Sequence, residues 1–334
     1  MPTAAAGPAP GDGTPRERCL CGDFVPVTER AALAAGRWMG QGQSAAANEA
    51  AIHAMDDAFA ELPIDGTIVI GNGTAAEHRL LGTGSHVGAG GTACDLAVDA
   101  LQATDSLVRG QGGAMAVIAV AGPGAMMSAP DIYMQKIVAG PRSADVIDIE
   151  LPVTVNLQRI AASLDRAMNE ITVITLDRPR HEELVGEIRA AGARIKLIPD
   201  GDITASIAVA VGGTGDHAYI GIGGTAEGII TAVAMRCLGG EIQGKFWPLS
   251  RREVDTAREH GIEDIEVRLT TDDLVRGDVI FAATGVTRGD FLRGVDYFPA
   301  GARTHTLIMC TRCRQVRFVD TIHRYGDERR EIKL

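Results

Sequence analysis

From about residue 171 the chain settles into an alternation that few folds can accommodate. "ITVITLD" reads as a strand, "EELVGEIRAAG" as a helix closed by glycine, and "RIKLIP" as a strand. "TASIAVAV" then reads as a helix, "AYIGI" as a strand, and "EGIITAVAMRCLGG" as a helix stopped by glycine. Strand–helix–strand succession predicts parallel pairing through right-handed crossovers. In such sheets ligands bind beyond the carboxyl ends of the strands. The segments there are "RPRH" (178–181), "PDGD" (199–202) and "GGTAEG" (223–228). Arg178 and Arg180 offer planar forks suited to phosphate, and His181 adds a donor. Two arginines in a helix's first turn oppose the macrodipole unless an anion offsets them; the alternative is a solvated helix start. Asp200, Asp202 and Glu227 are acceptors for sugar hydroxyls or a metal.

The first half is organised differently. "VTERAALAAGRWMG" and "SAAANEAAIHAMDDAFAELP" read as amphipathic helices. In the second, Ile52, Met55 and Phe59 recur at helical spacing and mark the buried face, and Asn48 points the same way. "TIVI" is a strand delivering the loop "GNGTAAEH", whose side chains Asn72 and Thr74 can neither hold a hard metal tightly nor take a proton. "CDLAVD" is a strand ending at Asp99, "AMAVIAVAG" is another strand, and "APDIYMQK" begins a further element.

A chain of 334 residues suffices for one large α/β domain or two smaller ones sharing a core. Aromatics make up 4%, so Ala, Val, Ile and Leu must build the interior. A net charge of −11 argues against nucleic acid as a partner, because nonspecific phosphate binding needs a basic surface. No apolar run is long enough to predict a membrane span. The N-terminus has no signal-peptide core and reads as a flexible tail over 1–24. A cytoplasmic location with reduced cysteines is expected. "CLC" (Cys19, Cys21) and "CTRC" (Cys310, Cys313) would form a four-thiolate zinc site if the two ends of the chain meet. The alternative is scattered thiols, one pair in a tail and one at a hairpin tip. Cys94 and Cys237 sit in apolar patterns that suit the core.

Six segments, "IDGTIVIGNGT", "CDLAVDALQAT", "APDIYMQKIVAGP", "DRPRHEELVGEIRAAGARIKLIPDGD", "GIGGTAEGIITAVAMRCLGGEIQG" and "FAATGVTRGDFLRGV", together resemble class II fructose-1,6-bisphosphatase. This is the bacterial glycerol-operon branch of the lithium-sensitive sugar and inositol phosphatases. The resemblance runs in order from about residue 25 to 323. It implies an α/β fold layered αβαβα, with an N-terminal half over 25–165 and a C-terminal half over 166–334. It also implies a homo-oligomer, dimer or tetramer, hydrolysing the 1-phosphate of fructose 1,6-bisphosphate with Mg²⁺ or Mn²⁺.

The family typically reads G-E-G-E in the opening loop, with an acid two residues later. Here Gly71-Asn72-Gly73-Thr74 stands instead, with Ala76 at the acid's place. The family's D-P-[IL]-E-G-T is here Asp99-Ala100-Leu101-Gln102-Ala103-Thr104, which keeps Asp99 and Thr104. A metal-binding aspartate corresponds to Asn48, and a nearby lysine to Ser44. Of the family's metal carboxylates only Asp99 and Glu227 remain. Tyr133, Arg178, Arg180, Asp200, Asp202 and the glycines of "GIGG", Gly223 and Gly224 included, stand where the family holds sugar and 6-phosphate.

The losses therefore concentrate at the metal end. Asn48, Asn72 and Gln102 keep shape while removing charge, and Mg²⁺ wants hard anionic oxygens. The expectation is a sugar-phosphate-binding protein with altered, non-bisphosphatase chemistry and at most one weakly held Mg²⁺ or Mn²⁺. Its acid–base set would be drawn from Asp99, Glu227, Asp95, Glu77, His78 and His181. A non-catalytic regulatory subunit and a residual metal-dependent 1-phosphatase are the alternatives.

Overall fold

The computed structural model describes residues 19–72 and 80–326. A 3-10 turn (Leu20–Phe24) leads into α1 (Val25–Gly36) and α2 (Ser44–Phe59). Then come β1 (Ile64–Ile70), β2 (His86–Val87), β3 (Thr92–Gln102), α3 (Thr104–Val108), β4 (Met115–Ala121) and β5 (Tyr133–Ala139). The alternating region supplies α4 (Val153–Leu164), β6 (Thr172–Leu176), α5 (Glu182–Ala190), β7 (Arg194–Ile198) and α6 (Asp202–Ala208). It continues through β8 (Ala218–Gly224), α7 (Thr225–Leu238) and β9 (Glu241–Trp247). The chain ends with α8 (Arg251–Glu259), α9 (Thr271–Leu274) and β10 (Val279–Gly285), followed by β11 (Asp296–Phe298), β12 (Gly301–Cys310) and β13 (Gln315–Arg324).

Two mixed sheets form among the described residues. The larger runs β11-β12-β10-β4-β3-β1-β2, with β13 paired to the far side of β12, and the smaller runs β7-β6-β8-β5-β9. The strands of the alternating region, β6, β7 and β8, do pair in parallel. The sheet is completed by antiparallel β5 and β9, which the alternation alone does not foretell. The chain crosses between sheets more than once: β5 joins the smaller sheet, and β10 to β13 return to the larger. Of the tail expected over 1–24, the described part is not bare coil, since Cys21 and Phe24 of the 3-10 turn are buried.

Strand β4 shows why the layers stack as they do. Every residue of "MAVIAVA" is buried, as a strand covered on both faces requires. Met115, Val117, Ala119 and Ala121 pack with α6 and α7 between the sheets. Ala116, Ile118 and Val120 pack under α1 and α2 on the other face. A third cluster sets Leu157, Ile160 and Ile188 of α4 and α5 against Ile137, Val173 and Ile220 of the smaller sheet. The order is helices, sheet, helices, sheet, helices: the expected αβαβα sandwich. No helix among the described residues is long and apolar enough to cross a membrane.

Candidate active site

A cavity of about 600 Å³ opens where the ends of four elements meet. Asn48 comes from the first turns of α2, Asn72 from the segment after β1, Asp99 from the carboxyl end of β3, and Glu227 from the first turn of α7. Four positions matched to the family's metal ligands in the sequence, Asn48, Asn72, Asp99 and Glu227, are thus brought together. Ile52, Ile70, Leu81 and Ile230 supply apolar wall, and Asp131, Thr256 and His260 complete the rim.

The carboxylates in this cavity are under electrostatic pressure. Asp99 is pushed up to about 8, first by burial and then by the charges of Glu227, Asp200 and Asp202, against one hydrogen bond from the Leu101 N–H. Glu227 is pushed up to about 7 by burial and by Asp202, with Lys136 pulling the other way. Its Oε2 is buried with no hydrogen-bond partner. A buried carboxylate oxygen without a donor is costly, and clustered like charges disfavour ionisation. The centre is short of positive charge.

Lys136 meets part of that demand. It lies buried on β5, and its Nζ donates to Asp202 Oδ2 at 2.7 Å and to the Gly224 carbonyl at 3.0 Å. Asp202, expected to accept sugar hydroxyls, is therefore committed to a buried ion pair. Gly223 and Gly224 are needed beside it. A Cβ on Gly223 would fall 2.2 Å from Asp202 Oδ2, and one on Gly224 would fall 2.1 Å from Glu227 Oε2.

The other expected residues divide. Tyr133 pairs with Gly224 across β5 and β8, and the Arg180 guanidinium stacks on its ring 4.7 Å from the centroid. Arg180 also donates twice to the Ile222 carbonyl. Arg178 spends one N–H on its neighbour's carbonyl at Asp177 and remains partly exposed. His181 is not available as an anion donor. Buried, it bridges the Leu176 carbonyl through Nδ1 and the Ile222 N–H through Nε2, both at 2.8 Å. That arrangement needs the neutral ring, and burial lowers its pKa.

Asp200 accepts from the Gly201 N–H and lines a separate cleft of about 290 Å³ with Ser106, Thr204 and Arg288. Gln102 turns from the cavity and accepts from Thr204 Oγ1 at 3.3 Å. Thr104 donates to the Leu101 carbonyl at 2.8 Å and so braces the turn after β3. Asp95 sits at the opposite end of β3 from Asp99, paired with Thr67 and Ala121, and does not line the cavity. Glu77 and His78 lie outside the described residues, as do Thr74 and Ala76.

Sequence reasoning did not single out Lys136, Asp131 or His260. Lys136 left a signal: one lysine within the otherwise uncharged strand "YMQKIVA" has to be paired if that strand is central. His260 left none, because it belongs to the cavity only through the placement of α8.

The chain matches, over residues 18–323, the family model described as bacterial fructose-1,6-bisphosphatase, glpX-encoded. It is 42% identical over 339 aligned positions to a D-fructose 1,6-bisphosphatase class 2/sedoheptulose 1,7-bisphosphatase of Synechococcus sp. (strain JA-3-3Ab), covering 93% of this chain and 98% of the relative. A protein of the same name from Trichodesmium erythraeum (strain IMS101) is 39% identical over 331 positions, covering 91% and 96%. These names favour the phosphatase alternative over the expectation of altered, non-bisphosphatase chemistry.

Proposed function

Because the chain belongs to the class II fructose-1,6-bisphosphatase family, we propose that it is a sugar-bisphosphate phosphatase working with a reduced, single-ion metal site. The observation that carries this reading is the pairing of Asp99 and Glu227 in one cavity with the amides of Asn48 and Asn72. Two carboxylates plus substrate phosphate are a sufficient set for one Mg²⁺ or Mn²⁺, which keeps several waters. The unpartnered Glu227 Oε2 fits that use. A second ion has no such set among the described residues, since Asn48 and Asn72 are neutral and Gln102 faces Thr204. Such an ion, when bound, would neutralise phosphoryl oxygens and polarise the phosphorus.

The chain's own residues would do the rest. Arg178, and the Arg180 fork held flat on Tyr133, would meet the distal phosphate by charge-assisted hydrogen bonds. Lys136 holds Asp202 and the Gly224 backbone still, so that Glu227 keeps its orientation. Positioning and charge neutralisation are the main sources of rate in phosphoryl transfer. A homo-oligomer belongs to the same reading; it is supported by the outer edge β13, where Val316 and Phe318 are about half exposed.

A second reading has its own support. Asn48, Asn72 and Gln102 stand where the family carries acids, which favours a protein that binds the sugar phosphate without hydrolysing it. Phosphate release from fructose 1,6-bisphosphate and sedoheptulose 1,7-bisphosphate, measured across Mn²⁺ concentration, separates the two. Saturable Mn²⁺-dependent release, lost in Asp99→Asn and Glu227→Gln, supports the phosphatase. Calorimetric binding of fructose 6-phosphate with no release at any Mn²⁺ level selects the binding protein. Absence of both removes both readings.

A further inference from the structure

The four cysteines near the two ends of the chain do meet. Sγ atoms of Cys19, Cys21, Cys310 and Cys313 all lie within 4.8 Å of one another, though the pairs are separated by nearly the whole sequence. Cys19 Sγ is 3.6 Å from Cys310 Sγ, and Cys21 Sγ is 3.9 Å from Cys313 Sγ. A tetrahedral ion with Zn–S bonds of about 2.3 Å sets its sulfurs roughly 3.75 Å apart. The two separations bracket that edge. They are far from the roughly 2.05 Å of a disulfide.

The backbone is shaped to match. Cys310 ends β12 and Cys313 lies in the turn before β13, giving the C-x₂-C spacing common in zinc sites. The Cys313 N–H points at Cys310 Sγ at 3.4 Å, the kind of donor that stabilises a metal-bound thiolate. Arg314 closes the turn with a positive φ of 53°, a conformation that costs a side-chain-bearing residue energy. Exposed Arg312 and Arg314 flank what would be a doubly negative tetrathiolate centre. The other two cysteines take no part in the cluster: Cys94 is in the core and Cys237 is on α7.

We infer that Cys19, Cys21, Cys310 and Cys313 form a structural zinc site, which clips the segment before α1 to the β12–β13 hairpin. All four positions are taken by thiolates, so no site is left open for substrate, as in structural zinc centres. Its place in the sheet agrees. Cys310 pairs with Ile280, level with the Asp95 end of β3 and opposite the Asp99 end that faces the cavity. The clip holds together the helical layer and the sheet edge that most separate in sequence, and it serves the fold rather than the reaction.

The test is metal analysis of the full chain purified under reducing conditions without a polyhistidine tag. One zinc per chain is expected, released on titration with an organomercurial and read by a chromophoric chelator. Cys19→Ser and Cys313→Ser should each lose the zinc, while Cys94→Ser and Cys237→Ser keep it. Should the cluster variants fail to fold, cobalt substitution of the unaltered protein decides. Intense far-red bands of tetrahedral thiolate-bound Co²⁺ support the site, and the pale spectrum of oxygen-ligated cobalt overturns it. Zinc-free protein whose four thiols alkylate readily in the native state, disulfides mapped as Cys19–Cys310 and Cys21–Cys313, or an iron-thiolate chromophore would each overturn the zinc assignment.

Discussion

At the scale of single residues, the cavity is governed by a shortage of positive charge. Lys136 is buried in an ion pair with Asp202 and is the cation that offsets the pressure on Glu227. Lys136→Met would leave Asp202 uncompensated and should cost about 3–5 kcal/mol in denaturant unfolding. Lys136→Met combined with Asp202→Leu should recover most of that, because it removes both charges. The carboxylates also set a pH dependence. Asp99 and Glu227 have folded-state pKa values near 8 and 7, above their ordinary 3.8 and 4.5, so the folded chain holds protons that the unfolded chain has released. Stability of the metal-free protein should therefore be highest near the lower values and fall as pH rises towards 8. Thermal unfolding across that range checks it, and Asp99→Asn should flatten the slope. His181 belongs here too. His181→Phe strands the Leu176 carbonyl and the Ile222 N–H, and should cost about 2–4 kcal/mol by unfolding.

At the scale of elements, turns decide where chemistry goes. The register break in β3 between Asp99 and Gln102, with Ala103 at a φ of 61°, turns Asp99 to the cavity and Gln102 to Thr204. Strand and ending were readable in "CDLAVD"; the divergence of the two side chains was not, because a bulge changes the alternation that the reading relies on. The β12–β13 turn offers a separate check. Arg314→Gly removes a left-handed, exposed non-glycine residue and should raise stability by about 1 kcal/mol, measured by unfolding of the metal-loaded protein. The helices were more legible than the strands' partners. Asn48 shares a face with Ile52 by simple spacing, and both line the cavity.

At the scale of the whole molecule, the cavity is a convergence of distant segments, with Asn48, Asn72, Asp99 and Glu227 on one lining. Restoring acids by Asn48→Asp with Asn72→Glu should raise Mn²⁺-dependent phosphate release by about 10-fold or more, as metal stabilisation of the reaction is worth several kcal/mol. Gln102→Glu alone should do less, because that side chain is turned to Thr204. Phosphate release by the variant series, at matched Mn²⁺, decides it.

The sequence by itself determined the parallel pairing of β6 to β8, and its motifs determined the family and, through that resemblance, the layered αβαβα architecture. Periodicity and motif spacing are local properties, and they survive without knowledge of partners. Only the tertiary structure decided which acids are spent. Asp202 is claimed by Lys136, His181 by two backbone groups, and Asp95 stands at the wrong end of its strand. It also decided that cysteines at opposite ends of the chain share one centre. Such pairings depend on sheet order and on a chain that returns to its first sheet at β10, and no local pattern carries that information.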